Sequence, residues 1–451
     1  MKIGIINMKK FYALLFLFCS QMATAFPTVT EINPTVDSLM KLVNMDSLEA
    51  KIRYLQNLGV RAADCPVSVD AQNYLYQKYQ NYNLILELQR ITLTDSNLLH
   101  NFMNRRRCDS TIYEQGDTAF PSANVIATQR GTTYPDEYII VCGHYDHNDG
   151  PGADDNASGT AGTAEIARIL SKHKFKRSII YINFTAEENG LWGSLVYAAR
   201  CKNEGKNILG VFNLDMIGYS FPMYDWDNWI PSESEHPDFL GFEPLRIFYN
   251  DRPPINQAFA KHFAEVANLY LPDIPAVPYR PSSWGGGRWG VGDDLSFILY
   301  DYPAMYMGDI LSGNGSRNPP CYHRPCDTIG IGKVDAGVNS MELVQGYTRA
   351  TLAAIAELAE LDVSSANSIS CVISPNPTNA TTTITLYFND VGNLTITLNN
   401  VLGQEVMKVY DGFADTRIFA KKLSLSHLPK GVYYLKITHN ENIKVEKIVV
   451  N

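Results

Sequence analysis

Tyr138-Ile139-Ile140-Val141-Cys142-Gly143-His144-Tyr145-Asp146 is a short apolar run that ends in a histidine and a carboxylate. Two further runs repeat the pattern: Ser178 to Phe184 is followed by Ala186-Glu187-Glu188, and Gly210 to Leu214 by Asp215. Apolar runs of this length, closed by polar residues, read as buried parallel strands. Between the first two runs, Ala157 to Leu170 is rich in Ala and Ile and free of Pro, which predicts a helix with Asp155 and Asn156 as caps. Strands alternating with helices predict an α/β fold, a mixed and largely parallel sheet sandwiched by helices.

In such a sheet, ligands bind in the crevice beyond the carboxyl ends of the strands. His144, the Glu187 and Glu188 pair and Asp215 all fall at those ends, and His323 follows Tyr322 much later in the chain. Imidazoles with carboxylates are the mixed donors that Zn²⁺ accepts. Asp154, in Gly152-Ala153-Asp154-Asp155-Asn156-Ala157-Ser158-Gly159, stands just before the predicted helix. A carboxylate there has two oxygens to offer, and paired catalytic metals lie roughly 3.5–4 Å apart. Asp154 is therefore the expected bridge, and a paired-metal hydrolase the first functional reading. Taken singly, each residue has an ordinary explanation as a solvated acid or a core histidine, but six in these contexts point to a site.

The chain has 451 residues, which exceeds one ordinary core. A formal charge of −9 and a pI near 5.5 argue against a nucleic-acid or anionic-membrane partner. Lys9 and Lys10, the apolar run Phe11 to Cys19 and Ala23-Thr24-Ala25 have the form of a secretory signal peptide over residues 1–25. The run is shorter than the roughly 20 residues of a transmembrane helix. Phe18 before Cys19 does not resemble a lipobox, so simple cleavage before Phe26 is expected. Cys321 and Cys326 flank His323 and are placed to close a small loop, either as a disulfide or as two thiols. Cys142 reads as an inert core residue.

Residues 26 to about 115 read as mainly helical, within a catalytic region that extends to 362. The stretch from Tyr219 to Leu295 is aromatic, with Trp226, Trp229, Trp284 and Trp289, and offers a substrate pocket or simple packing. After a polar linker, 363–371, the alternation Leu394-Thr395-Ile396-Thr397-Leu398-Asn399 and turn signals at Asp411-Gly412 and Lys430-Gly431 predict a small all-β sandwich over 372–451.

The central motifs, His144 with Asp146, the Gly-Ala-Asp-Asp-Asn-Ala-Ser-Gly segment, Glu187-Glu188, Asp215 and His323, resemble the di-zinc exopeptidase family that includes bacterial leucyl aminopeptidase. The resemblance runs over roughly 35–361. It implies two Zn²⁺ per chain: Asp154 bridging, His144 and Asp215 completing one site, Glu188 and His323 the other. Glu187 is then the free base acting on a metal-activated water, and Asp146 orients His144 through its outward nitrogen. Gly292-Asp293-Asp294-Leu295-Ser296-Phe297 departs from the Ser-Asp-His before Phe of many relatives, so no oxyanion donor is carried over. The tail is similar to the sorting domain of type IX secretion cargo, through Ser374-Pro375-Asn376-Pro377, Asn400 to Val406, Leu428 to Tyr434 and Lys447 to Val450. Together these imply a secreted or surface aminopeptidase that acts on peptides with free N-termini and passes through the type IX machinery. Alternatives are a glutaminyl cyclase, a carboxypeptidase or dipeptidase, a non-catalytic surface binding protein and, for the tail, a spacer or carbohydrate-binding sandwich. Glu187-Glu188-Asn189-Gly190-Leu191-Trp192-Gly193-Ser194 lies closer to the aminopeptidase form than to the cyclase form.

Overall fold

The computed structural model describes residues 26–92, 118–220, 244–250, 253–279, 292–308, 319–333, 335–362, 369–388, 391–416, 418–440 and 442–451. The expected signal peptide and the four tryptophans named above lie outside them. The chain divides into two compact units, one ending at Glu360 and the other comprising Leu361–Asn451.

The first unit opens with α1 (Pro34–Met40), α2 (Met45–Asn57) and α3 (Val67–Gln80). Asn33 and Asn44 cap α1 and α2 by accepting from the backbone N–H of Thr35 and Ser47. The helical reading stops there, because Ile85–Thr92 is strand β1, paired antiparallel with β2 (Thr118–Gln129). In β1 only Gln89 and Ile91 are buried, so this edge strand carries too weak an apolar alternation to announce itself.

The three decisive runs are β3 (Tyr134–His144), β4 (Arg177–Phe184) and β5 (Asn207–Leu214). β4 and β5 flank β3 and run parallel to it. The chain leaves β3 through α4 (Gly159–Leu170) to reach β4, then returns through α5 (Trp192–Asn203) to β5 on the other side. This reversal creates a crevice at the carboxyl ends of the three strands. β6 (Leu245–Phe248), α6 (Ile255–Tyr270), β7 (Ala276–Tyr279), α7 (Asp294–Ile298), β8 (Ala304–Met307) and α8 (Met341–Leu358) follow. The eight strands form one sheet in the order β1-β2-β4-β3-β5-β8-β6-β7, parallel at its centre.

Helix α4 is nearly all small or apolar and is buried except at Arg168. Close packing explains its glycines: a Cβ on Gly159 would stand 2.0 Å from the Leu214 carbonyl, and one on Gly308 would stand 1.7 Å from that of Asp215. The end of β5 is thus held between two backbones that only glycine allows so near. Glu165 ties α4 to the amino-terminal helices, accepting from Asn44 N–H, Ser47 Oγ, Lys51 Nζ and Arg168 Nε at 2.8–3.1 Å. Burial favours the neutral acid, but Arg168 and Lys51 outweigh it and hold Glu165 down to about 2.

The second unit is all antiparallel: β9 (Ile369–Ser374), β10 (Thr381–Phe388) and β13 (Ile418–Ser424) form one sheet, and β11 (Gly392–Asn399), β12 (Glu405–Ala414), β14 (Gly431–His439) and β15 (Asn442–Val450) the other. Ile384, Leu386, Leu394, Ile396, Leu398, Leu435, Ile437 and Ile448 are core residues. β9 begins at Ile369, inside the expected linker. Asp411-Gly412 lies within β12 rather than at a turn, paired with Thr395 and Leu394 of β11. Ladder pairing and the Thr395 Oγ1 hydrogen bond to Asp411 override the local turn preference.

Candidate metal centre

The carboxyl ends of β3, β4 and β5 deliver His144, Glu187 with Glu188, and Asp215 into one buried crevice. The chain must turn sharply there: Ala186 and Met216 have φ of 59° and 60°, and His323 has 53°. Left-handed backbone at non-glycine residues is costly and clusters at functional sites.

Asp155 occupies the middle of the crevice. Its Oδ1 lies 3.3 Å from His144 Nε2, and its Oδ2 lies 3.1 Å from His323 Nε2. His144 Nε2 is also 3.4 Å from Asp215 Oδ1, while His323 Nε2 is 3.3 Å from Glu188 Oε2. Donors sharing one zinc at bonds of about 2.0–2.2 Å stand roughly 3.3–3.6 Å apart in a tetrahedron, and the four spacings, 3.1–3.4 Å, lie at or just below that interval. Among the described residues, His144, Glu187 and Asp215 form one group able to hold a metal, and His147, Asp155 and Glu188 another.

Asp154 is not the central carboxylate. It faces away, its Oδ1 accepting from Gly218 N–H at 2.8 Å. The reason is the irregular turn over Ala153–Ser158, in which Asp155 adopts φ −102° and ψ 93°. Asp327 fixes that turn by accepting from the N–H of Asp154 at 2.8 Å and of Asp155 at 3.1 Å. Asn156 anchors the other end: its side-chain amide donates to Leu214 O, and its Oδ1 caps α4 through Gly159 N–H, both at 2.9 Å. The helical conformation begins at Ala157 as expected and runs on into α4, and of the two expected caps only Asn156 serves it.

Asp146 meets the outward nitrogen of His144 chiefly through its backbone rather than its carboxylate. His144 Nδ1 meets the backbone carbonyl of Asp146 at 3.1 Å, with a carboxylate oxygen 3.7 Å away. The Asp146 carboxylate instead accepts the backbone N–H groups of Glu187 and Glu188 at 3.2 and 3.3 Å. It holds the loop after β4 against the end of β3.

Arg61, His147 and Asp327 went unnoticed in the sequence. Arg61 is fully buried and donates to the carbonyls of Tyr145, Gly152, Leu55, Gly59 and Pro151. It stitches together the loop that carries Asp146 and His147. Burial brings its guanidinium down to about 10, opposed by Asp327 and Asp146, so it remains charged. Only its place directly after Asp146 in His144-Tyr145-Asp146-His147 could have singled out His147 beforehand. Cys321 and Cys326 form a disulfide that encloses His323, and Cys142 is a buried free thiol.

The electrostatics are those of a cation site. Burial raises the Glu187 carboxyl well above its ordinary value; nearby Asp215, Asp293 and Glu188 add to this, and His144 opposes it. Behind Asp215, burial and neighbouring acids push Asp293 and Asp294 up to about 7 and about 8. Burial disfavours a charged His323, yet Asp155 and Glu188 drive it up to about 11. So many acids in a buried crevice call for positive charge.

Residues 124–344 match the model of peptidase family M28. The chain carries an M28 peptidase domain. It is followed by a secretion system C-terminal sorting domain, matched over residues 372–451. The chain is 40% identical over 202 residues to a probable zinc metalloprotease of Pyrenophora tritici-repentis, which covers 41% of each chain. The chain thus spans about four tenths of the length of such curated relatives. In fold it is similar to the LapA aminopeptidase of Legionella pneumophila, with a TM-score of 0.54 at 18% identity over 80% of this chain and 78% of that one. An aminopeptidase from Aneurinibacillus sp. strain AM-1 gives 0.51 at 19% identity over 72% and 96%. Among the described residues, no helix is long and apolar enough to cross a membrane.

Proposed function

We propose that the M28 domain is a zinc aminopeptidase that removes residues from the free N-termini of peptides, and that the sorting domain exports it through the type IX machinery to the surface or medium. The position of Asp155 carries this reading: one carboxylate stands within reach of both His144 and His323, where it could serve two ions. His144, Asp155 and Asp215 would hold one zinc, and Asp155, Glu188 and His323 the other. Zinc bound there supplies Lewis acidity and makes water a better acid.

The remaining chemistry belongs to the chain. Glu187, assigned as the base, takes a proton from the attacking water and hands it to the leaving amine. Asp146 holds the backbone of Glu187 and Glu188, so base and ligand are positioned together. A C-terminal carboxylate calls for a free cation, and Arg61, the buried cation beside the crevice, is already engaged by five carbonyls. This favours aminopeptidase over carboxypeptidase action. The test compares peptides with free and acetylated N-termini, with Glu187→Ala as the blank. Stepwise release from free termini alone is expected; cyclisation of N-terminal glutamine, or release from the other end, would overturn the assignment.

A further inference from the structure

His147 is the fully buried imidazole of this crevice that the assignment above leaves without a task. Its Nδ1 lies 2.9 Å from Glu188 Oε1 and 3.9 Å from Asp155 Oδ2. At 2.9 Å the two atoms are within reach of each other, and each makes no hydrogen bond to any other described residue. With Asp155 they make a group of donor atoms, all within 4.8 Å of one another, that could hold a metal ion. Ligands of one metal ion have this relation. The His323 ring stands edge-on to that of His147, with centroids 5.6 Å apart, and approaches the same two carboxylates.

The ring is also held in place. The backbones of His147 and Arg61 exchange hydrogen bonds in both directions, at 3.0 and 3.4 Å. Gly152, with φ 55°, passes so near that a Cβ there would lie 2.6 Å from the imidazole. Arg61 donates to the Gly152 carbonyl at 2.9 Å. A side chain locked by its surroundings loses little freedom on binding an ion.

We propose that His147 is a further nitrogen ligand of the ion held by Asp155, Glu188 and His323, which makes the two metal sites unequal. The proposal rests on the two-ion reading given above. The His147 site then has four protein ligands and is closed, as structural zinc sites are, whereas the site of His144, Asp155 and Asp215 has three and keeps an open position. Glu187 Oε2 lies 3.9 Å from His144 Nε2, on the open side. The closed site binds its ion more tightly and fills first.

The decisive experiment is metal binding by the full chain after chelation, with stepwise addition of Co²⁺ followed by its visible absorption, and without an activity assay. Wild type is expected to bind two ions in two resolved steps. His147→Ala should weaken the tighter step at least tenfold and change its spectrum, leaving the other step in place. His147→Asn retains an N–H able to reach Glu188 but offers a poor metal ligand, and it should behave like His147→Ala. Should His147→Asn restore wild-type binding, the imidazole is only a hydrogen-bonding support and the ligand assignment falls. X-ray absorption on the wild-type zinc form needs no variant: three imidazoles shared by two ions are expected, and two would overturn the proposal. If wild type binds a single ion, the two-metal reading itself fails; if it binds two and both His147 variants match it, the reading stands and the His147 assignment alone is lost.

Discussion

The crevice of the peptidase unit and the core of the β unit use burial in opposite ways. In the β unit, strand β11 alternates buried Leu394, Ile396 and Leu398 with less buried Thr395 and Thr397, and the interior is filled by apolar side chains. In the crevice, His144, Asp146, His147, Asp155 and Asp215 are buried although all are polar. Apolar burial stabilises the fold directly, whereas buried charge costs stability until an opposite charge compensates it. The contrast teaches that the two units should answer differently to metal, to mutation and to acid.

Substitution of the central carboxylate tests that contrast most severely. Asp155→Asn is expected to lose both ions and all measurable turnover, while Asp154→Asn keeps its metal; elemental analysis of the two purified proteins decides, and equal metal loss would undo the distinction between neighbours. Glu187→Gln should retain both ions and lower kcat by roughly 10²–10⁴-fold, the usual worth of a general base, measured on a free N-terminal peptide with metal content determined in parallel. In the other unit, Leu435→Ala removes a fully buried side chain and should cost about 2–5 kcal/mol of that unit's stability. Calorimetry should show only the β unit's transition moving, with kcat unchanged; a fall in kcat would mean the units are not independent.

The smallest effect concerns acid. Glu165 is held down to about 2 in the folded chain against an ordinary 4.5. Its carboxylate therefore contributes stability that is complete above about pH 5 and disappears as the pH falls through 2. Over that interval, denaturant unfolding of the peptidase unit should show wild type losing on the order of 3 kcal/mol more than Glu165→Gln, at about 1.4 kcal/mol per pKa unit. Parallel losses would remove Glu165 from the linkage between α4 and the amino-terminal helices.

The fold was legible because its signals are local. Each of β3, β4 and β5 is an apolar run closed by a polar residue, and a strand's end can be read where hydrophobicity stops. Strand β1 escaped notice because an edge strand with few buried side chains has no such pattern, and Asp411-Gly412 misled because its pairing partner lies in another strand.

The sequence by itself determined that histidines and carboxylates gather at the ends of parallel strands, since order along the chain and right-handed crossovers leave few other arrangements. It could not choose between Asp154 and Asp155, because adjacent side chains differ only in where the backbone aims them. That aim was decided by Asp327 and Leu214, residues far along the chain that bind the 153–158 turn. The same holds for His147, whose ring is placed by Arg61 and Gly152. Hydrogen bonds between distant segments fix orientation, and they exist only once the chain has folded.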